Sequence, residues 1–287
     1  MVESTWRDWF VSEEVEAAKP DGLSVWFLGC NGFIARTATT AVYIDPYFGN
    51  GNPPRLIRKV PVPMDPVDAT VCDAVLVTHE HRDHMHPPSY RPLIDRLGAQ
   101  LYAPKACFHQ ADCAVEIDES DDCATVVDVS DEIDIGDLRI SVRGANDPDA
   151  IESVSYVVEH DSGTFFHGGD SRPADCFTSI GDEFDIDVGV LAFGSVGRRF
   201  DPSAGTVRTS HVYMDENRVI EAANDLRLDR LLPTHYNMWK GLESTVESLS
   251  SHSTSFEYPY TIEPVDIGDR VSTTRPGIIP LEVLNGT

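Results

Sequence analysis

The stretch LVTHEHRDHMH, Leu76 to His86, sets four histidines among charged residues directly after an apolar run. DAVLVTH, Asp73 to His79, reads as a buried strand, so the cluster begins where a strand stops and the chain turns. Within it His79, His81, Asp83 and His84 follow the pattern His-x-His-x-Asp-His. A turn just beyond a strand can point alternate side chains into one small volume, while the strand's buried end holds the turn rigid. Imidazole nitrogens with a carboxylate are ligands for Zn, Mn or Fe, and so polar a group is costly to bury without a cation.

Working outward, SVWFLG, GFIARTA and TAVYID upstream read as three short strands of an antiparallel meander that ends on Asp45. Residues Trp6 to Ala18 place Trp6, Trp9, Phe10 and Val15 near helical spacing, which predicts an amphipathic N-terminal helix. Pro46 to Pro66 is rich in proline and glycine and reads as a long loop, a length typical of functional lids. Downstream come a helix from Pro88 to Leu97, the strand AQLYAP and a helix opening near Lys105. LRISVRG, SVSYVVEH, TFFHGGD and VGVLAFGS are strand-like, and ENRVIEAANDL is a helix leading into RLLPTH. Strands alternating with helices point to an α/β layered fold, and with no low-complexity linker residues 1–287 are expected to form one domain. The apolar runs before Asp45, His79, Asp170 and His235 each stop at a potential ligand. If those strands run toward one edge, the ligands converge there.

Composition narrows the partners. Asp plus Glu number 48 against 22 Lys plus Arg, a formal net charge of −26. Nucleic acid and anionic membranes need a basic footprint, so neither is expected as a partner. Only Lys19, Lys59, Lys105 and Lys240 are lysines, and acid excess with lysine scarcity reads as adaptation to high salt. The six cysteines show no CxxC spacing and are expected to be reduced. No stretch approaches the roughly eighteen apolar residues of a membrane span, and the N-terminus has no basic leader; a soluble, cytoplasmic protein is the expectation.

THEHRDH, with HGGD and PTH downstream, resembles the metallo-β-lactamase fold superfamily, whose signature is HxHxDH followed by further His and Asp ligands on strand ends. VWFLGCNG (Val25 to Gly32), APKAC (Ala103 to Cys107), FFHGGDS (Phe165 to Ser171), FDIDVGV and PTHYNMW are together similar to its L-ascorbate-6-phosphate lactonase group, as far as about Trp239. The resemblance implies a four-layer αββα sandwich with the metal site at one edge of the two sheets. It also implies a helix within residues 1–20 and an extension, 240–287, packed on the core. Carried over by position, His79 and His81 would bind a first metal, and Asp83, His84 and His235 a second, with Asp170 bridging. Asp45 would hydrogen-bond the histidines and set their tautomers. The superfamily's third motif supplies another His, yet there is none between His109 and His160. GANDPDA falls at that place, so Asp147 would be the ligand, with Asn146 as the alternative. An oxygen ligand there tilts preference from Zn2+ toward Mn2+, one or two ions being bound.

Around this centre, Arg198 and Arg199 follow AFGSVG and could receive a phosphate or carboxylate, or else form surface salt bridges. Tyr236 and Asn237, directly after His235, could hydrogen-bond a polar substrate, or pack. His211, opening HVYMDEN ahead of a helix, could contact substrate or pass a proton, or face solvent. His86, His109, His160, His167 and His252 stand outside the ligand set, His167 alone lying close to it in the HGGD turn.

Such a site supports hydrolysis, because a divalent cation lowers the pKa of its water toward neutrality and stabilises the developing oxyanion. The resemblance implies a lactonase opening a sugar-derived lactone, phosphorylated or not; the leaving alkoxide would then be protonated by a metal-bound water, Asp83 or His211. Two other readings compete: a phosphodiesterase acting on a nucleotide or phospholipid head group, and a metal-binding scaffold without turnover. A small-molecule substrate and a homo-oligomeric state are expected.

Overall fold

The computed structural model describes residues 3–281 apart from 55 and 202–203, with the backbone alone at 199–201, 210 and 211. Among these residues the strands build an eight-stranded and a seven-stranded sheet. The first begins with the meander Ser24–Gly29, Gly32–Arg36 and Ala41–Ile44. It continues through the parallel strands Ala74–Leu76, Gln100–Ala103 and Ala124–Val126. In the second, Glu132–Ile135, Leu138–Gly144, Val154–His160 and Gly163–His167 pair antiparallel. Val188–Ala192, Arg230–Thr234 and Thr261–Ile262 then follow parallel to the last of these.

Period-two alternation explains why these runs are apolar throughout. Val25 and Phe27 face inward and pack with Ile140, Tyr156, Phe165 and Val190 of the opposite sheet. Their neighbours Trp26 and Leu28 face outward, onto Phe10, Tyr90 and Leu93. On the far face, Val157, Phe166 and Leu191 meet Phe177, Ile180, Val219 and Ile220 from the helices Phe177–Glu183 and Glu216–Asp225. The order is helix, sheet, sheet, helix, the αββα sandwich that the resemblance implied. Each of these large side chains contributes about 2 kcal/mol by leaving water.

Three elements differ from expectation. The N-terminal helix is a short π-helix, Phe10–Val15, in which the Glu16 N–H donates to Val11 O at 2.7 Å. The wider winding seats Trp6, Trp9 and Phe10 in mutual ring contact over the first sheet. The C-terminal segment does more than pack: Thr261–Ile262 extends the second sheet, while Arg270–Ser272 and Ile278–Ile279 extend the first beyond Ser24–Gly29. Finally, Val196–Asp201 and Thr206–His211 form a separate two-stranded ribbon. His211 therefore closes a strand ahead of the helix; the helix cap is Asp215, whose carboxylate accepts from Arg218 N–H at 2.9 Å. No helix among the described residues is long and apolar enough to cross a membrane.

Candidate metal centre

The parallel strands of both sheets finish at one edge. Ala41–Ile44 and Ala74–Leu76 deliver Asp45 and His79 from the first sheet. Gly163–His167 and Arg230–Thr234 deliver Asp170 and His235 from the second. A backbone bridge from His79 to Ser153 joins the sheets at this point. Four non-glycine residues at this edge adopt left-handed φ, Cys30 (54°), Asp45 (46°), Ser195 (53°) and His235 (66°). Such conformations cost about 1–3 kcal/mol each and persist where surrounding structure imposes them. At His235 the restraint is visible, since Ser195 Oγ donates to its carbonyl at 2.6 Å. Gly169 has φ of 55°, and a Cβ there would lie 2.9 Å from Thr78 Oγ1, so only glycine lets the Asp170 turn close onto the histidine turn.

Ligand-type atoms converge in two groups: His79, His81, Asp147 and Asp170, and Asp83, His84, Asp170 and His235, each group's atoms within 4.8 Å of one another. Asp170 belongs to both. Its Oδ1 lies 3.4 Å from His84 Nε2 and 3.1 Å from His235 Nε2, and its Oδ2 4.0 Å from His79 Nε2. Asp147 Oδ2 lies 3.4 Å from His81 Nδ1 and 3.6 Å from His79 Nε2. Asn146 turns away, its amide donating to Pro173 O at 2.7 Å.

The hydrogen bonds set which nitrogens face inward. Thr78 Oγ1 donates to Asp45 Oδ2 at 2.7 Å, so it can only accept from His79 Nδ1 at 2.9 Å, which leaves the Nε2 lone pair pointing inward. His84 Nδ1 donates to Asp45 Oδ2 at 2.7 Å, and His81 Nε2 donates to Asp149 O at 3.2 Å. The inward atoms His79 Nε2 and His81 Nδ1 are 2.9 Å apart, two lone pairs face to face, and buried His84 Nε2 and His235 Nε2 have no hydrogen-bond partner. This donor set fits divalent cations and little else.

Electrostatics point the same way. Burial would depress His84, but the Asp45 and Asp170 carboxylates lift it well above the usual imidazole range: the surroundings demand positive charge there. Burial likewise opposes ionisation of Asp170, yet His235 and His84 hold it well below the ordinary carboxylate range. Asp147 is raised by burial and by Asp170.

Above the centre lies a cavity of about 350 Å³, with Asp83, Asp147 and Asp170 in its floor and Tyr47, Tyr213 and Trp239 in its walls. Tyr213 stacks on His235, centroids 4.4 Å apart. The substrate contacts expected from sequence are mostly elsewhere. Tyr236 packs against Phe193 in the far core, because the left-handed turn at His235 breaks the alternation that would have aimed it at the cavity. Asn237 lines a different cavity, about 210 Å³, behind the site. Arg198 is exposed on the ribbon and does not line the cavity, since a free-standing ribbon carries it away from the sheet edge. The side chains of Arg199 and His211 lie outside the described residues. His167 is buried, donating Nε2–H to Asn31 O at 2.7 Å. Sequence reasoning missed Asn31, whose amide donates to Asp170 Oδ1 at 2.8 Å, and Thr78 and Tyr213; the only available signal was that all three fall within stretches already singled out.

Fold and site together define a metal-dependent hydrolase. The family described as the beta-lactamase superfamily domain matches residues 40–236, more than half of the chain, and the chain belongs to it. It is 24% identical to a protein of Escherichia fergusonii named probable L-ascorbate-6-phosphate lactonase UlaG, across 85% of this chain and 78% of that one. Among solved structures it is similar in fold to Igni18, a metallo hydrolase from Ignicoccus hospitalis, at TM-score 0.65 and 18% identity over 87% of this chain and 97% of that one. An isothiocyanate hydrolase from Delia radicum gut bacteria matches at TM-score 0.63 and 16% identity, over 87% and 98% of the two chains.

Proposed function

We propose that this protein is a lactonase that opens a sugar-derived lactone in the cavity above the His/Asp centre. One observation carries hydrolysis: two ligand sets sharing Asp170 lie at a cavity of about 350 Å³ whose floor holds Asp83, Asp147 and Asp170, large enough for a monosaccharide-sized ring. The similarity to proteins named as lactonases, spread over 85% of the chain, supports the substrate class. His79, His81, Asp147 and Asp170 would hold one cation and Asp83, His84, Asp170 and His235 a second, Mn2+ or Zn2+. Divalent cations there would lower the pKa of water and polarise the carbonyl under attack.

The chain's own residues do the rest. Asp45, Thr78 and the Asp149 carbonyl hold the three histidines of the HxHxDH turn in the required tautomers. Asn31 fixes the rotamer of Asp170, the residue common to both sets. Asp83 lines the cavity with Oδ2 3.9 Å from His235 Nε2, and we assign it to take the proton of the attacking water and return it to the departing alkoxide. Tyr47, Tyr213 and Trp239 offer rings to the apolar face of a sugar and exclude water from it.

The test is ring opening of a panel of sugar lactones by metal-stripped protein reloaded with Mn2+ or Zn2+ in molar salt, beside bis(p-nitrophenyl) phosphate. Lactone opening restored by metal and abolished in Asp170→Ala is the expected result. Diester cleavage with inert lactones would replace this reading by the phosphodiesterase, and silence on all substrates with metal bound would replace it by the scaffold.

A further inference from the structure

We infer that His167 is a positioning residue, which aims the Asp170 carboxylate by pinning Asn31 and so sets how tightly the centre holds its cations; the inference rests on the reading of Asp170 as the ligand common to both sets. His167 ends the strand that leads to the Asp170 turn and is fully buried. Phe33 and Phe165 pack about its ring, centroids 5.9 and 6.3 Å away, so packing alone asks for no more than an apolar ring. An imidazole adds a donor and an acceptor on one rigid frame, and both are used. Nε2–H donates to Asn31 O at 2.7 Å, and Nδ1 accepts from Gly169 N–H at 3.3 Å. A carbonyl can only accept, which fixes the proton on Nε2, and burial holds the ring below the ordinary imidazole range, so Nδ1 keeps its lone pair.

The two bonds join segments that stand 136 residues apart in the chain. Cys30 and Asn31 make the turn between the paired residues Gly29 and Gly32 of the first sheet, whereas Gly169 lies in the Asp170 turn of the second. Asn31 then reaches the centre with its carboxamide: Nδ2 donates to Asp170 Oδ1 at 2.8 Å, and Oδ1 accepts from Thr234 Oγ1, one residue before His235. Turned over, that carboxamide would set its oxygen against the Asp170 carboxylate, acceptor against acceptor, so only one orientation serves. With the Asn31 carbonyl and the Gly169 N–H tied to one ring, the donor and the carboxylate it aims keep a fixed separation.

The test is Mn2+ affinity, by isothermal titration of the metal-stripped full chain, in variants that cut the two bonds separately. His167→Gln can place an amide N–H near Nε2 and keep the tie to Asn31, while His167→Asn can keep an acceptor for Gly169 and loses that tie. His167→Asn should weaken Mn2+ binding by about ten- to a hundredfold, and Asn31→Ala by a similar factor, whereas His167→Gln should stay within a few-fold of the wild type. The double variant Asn31→Ala with His167→Asn should bind no more weakly than Asn31→Ala alone, because without the carboxamide there is nothing left for His167 to aim. Losses that add, or a loss of about tenfold or more in folded His167→Gln, would overturn the inference and leave the metal centre standing. Wild-type protein that takes up neither Mn2+ nor Zn2+ would overturn the metal centre itself, and the inference with it.

Discussion

Asp147 and Glu80 show how single residues complete the centre. Asp147 occupies the position where the superfamily supplies a histidine, with its carboxylate 3.4 Å from His81 Nδ1. We expect Asp147→Ala to lose one of two bound ions, while Asn146→Ala keeps both; metal content after gel filtration checks this. Asp147→His should shift the affinity order from Mn2+ toward Zn2+, because imidazole is the softer ligand. Glu80 sits between the first two histidines and points the opposite way, buried, its Oε1 accepting from Ile151 N–H at 2.6 Å. It ties the loop that carries Asp147 to the turn that carries His79 and His81. Glu80→Gln should weaken metal binding by about ten- to a hundredfold, the usual cost of disturbing a ligand's support. Isothermal titration with Mn2+ reads this directly, and unchanged affinity would show that the loop holds its place without Glu80. The HxHxDH turn was legible in the sequence because its members are neighbours in the chain. Asn31 was not, since it meets Asp170 across 139 residues of chain.

Among the elements, the loop Pro46 to Pro66 was read as a lid from proline and glycine alone, and it does supply Tyr47, Asn52 and Leu56 to the cavity. What holds it is Arg58, buried and forked among carbonyls. It donates to Tyr47 O at 2.8 Å, Leu28 O at 3.2 Å, Val60 O at 3.1 Å and Pro61 O at 2.7 Å. A bridge between Arg58 and Trp239 fastens the same loop to the segment after His235. Arg58→Met should raise KM about tenfold or more with metal content unchanged, and Arg58→Lys should restore little, because an ammonium cannot span four acceptors in fixed directions. Equal losses of kcat and of bound metal would instead mark Arg58 as part of the general scaffold. Nothing in local composition distinguishes this arginine from a surface one. The same blindness left Arg198 open between substrate and surface and Tyr236 between substrate and packing, where the direction of a ribbon and one left-handed residue decided the outcome.

For the whole molecule, two forces oppose folding unless solution supplies counter-charge. A net charge of −26 repels itself at low salt, and the carboxylates and lone pairs of the centre repel one another without cations. The melting temperature should therefore climb by several degrees as KCl rises from about 0.2 to 2 M, where screening shortens to a few ångströms. A flat profile would contradict the salt-adapted reading. Chelation should lower it separately: metal at about a thousand times its Kd stabilises by about 4 kcal/mol, worth roughly 10 °C in a domain of this size. Calorimetry with and without chelator at fixed salt separates the two effects.

By itself the sequence determined the class of fold and the first four residues of the candidate centre, because both are encoded locally. Short continuous apolar runs rich in β-branched and aromatic residues and bounded by turn residues read as strands buried on both faces, and four ligand-type side chains within six residues gather readily at a turn. It also determined the net charge of −26. The tertiary structure alone decided that Asp147 and not Asn146 reaches the cluster, and that Asn31, Thr78 and the Asp149 carbonyl orient it. It decided as well that the cavity is walled by Tyr47, Tyr213 and Trp239, with Tyr236 and Arg198 outside. These are questions of direction. A side chain's direction beyond a strand end depends on backbone angles imposed by contacts distant in the chain, and no local pattern records them.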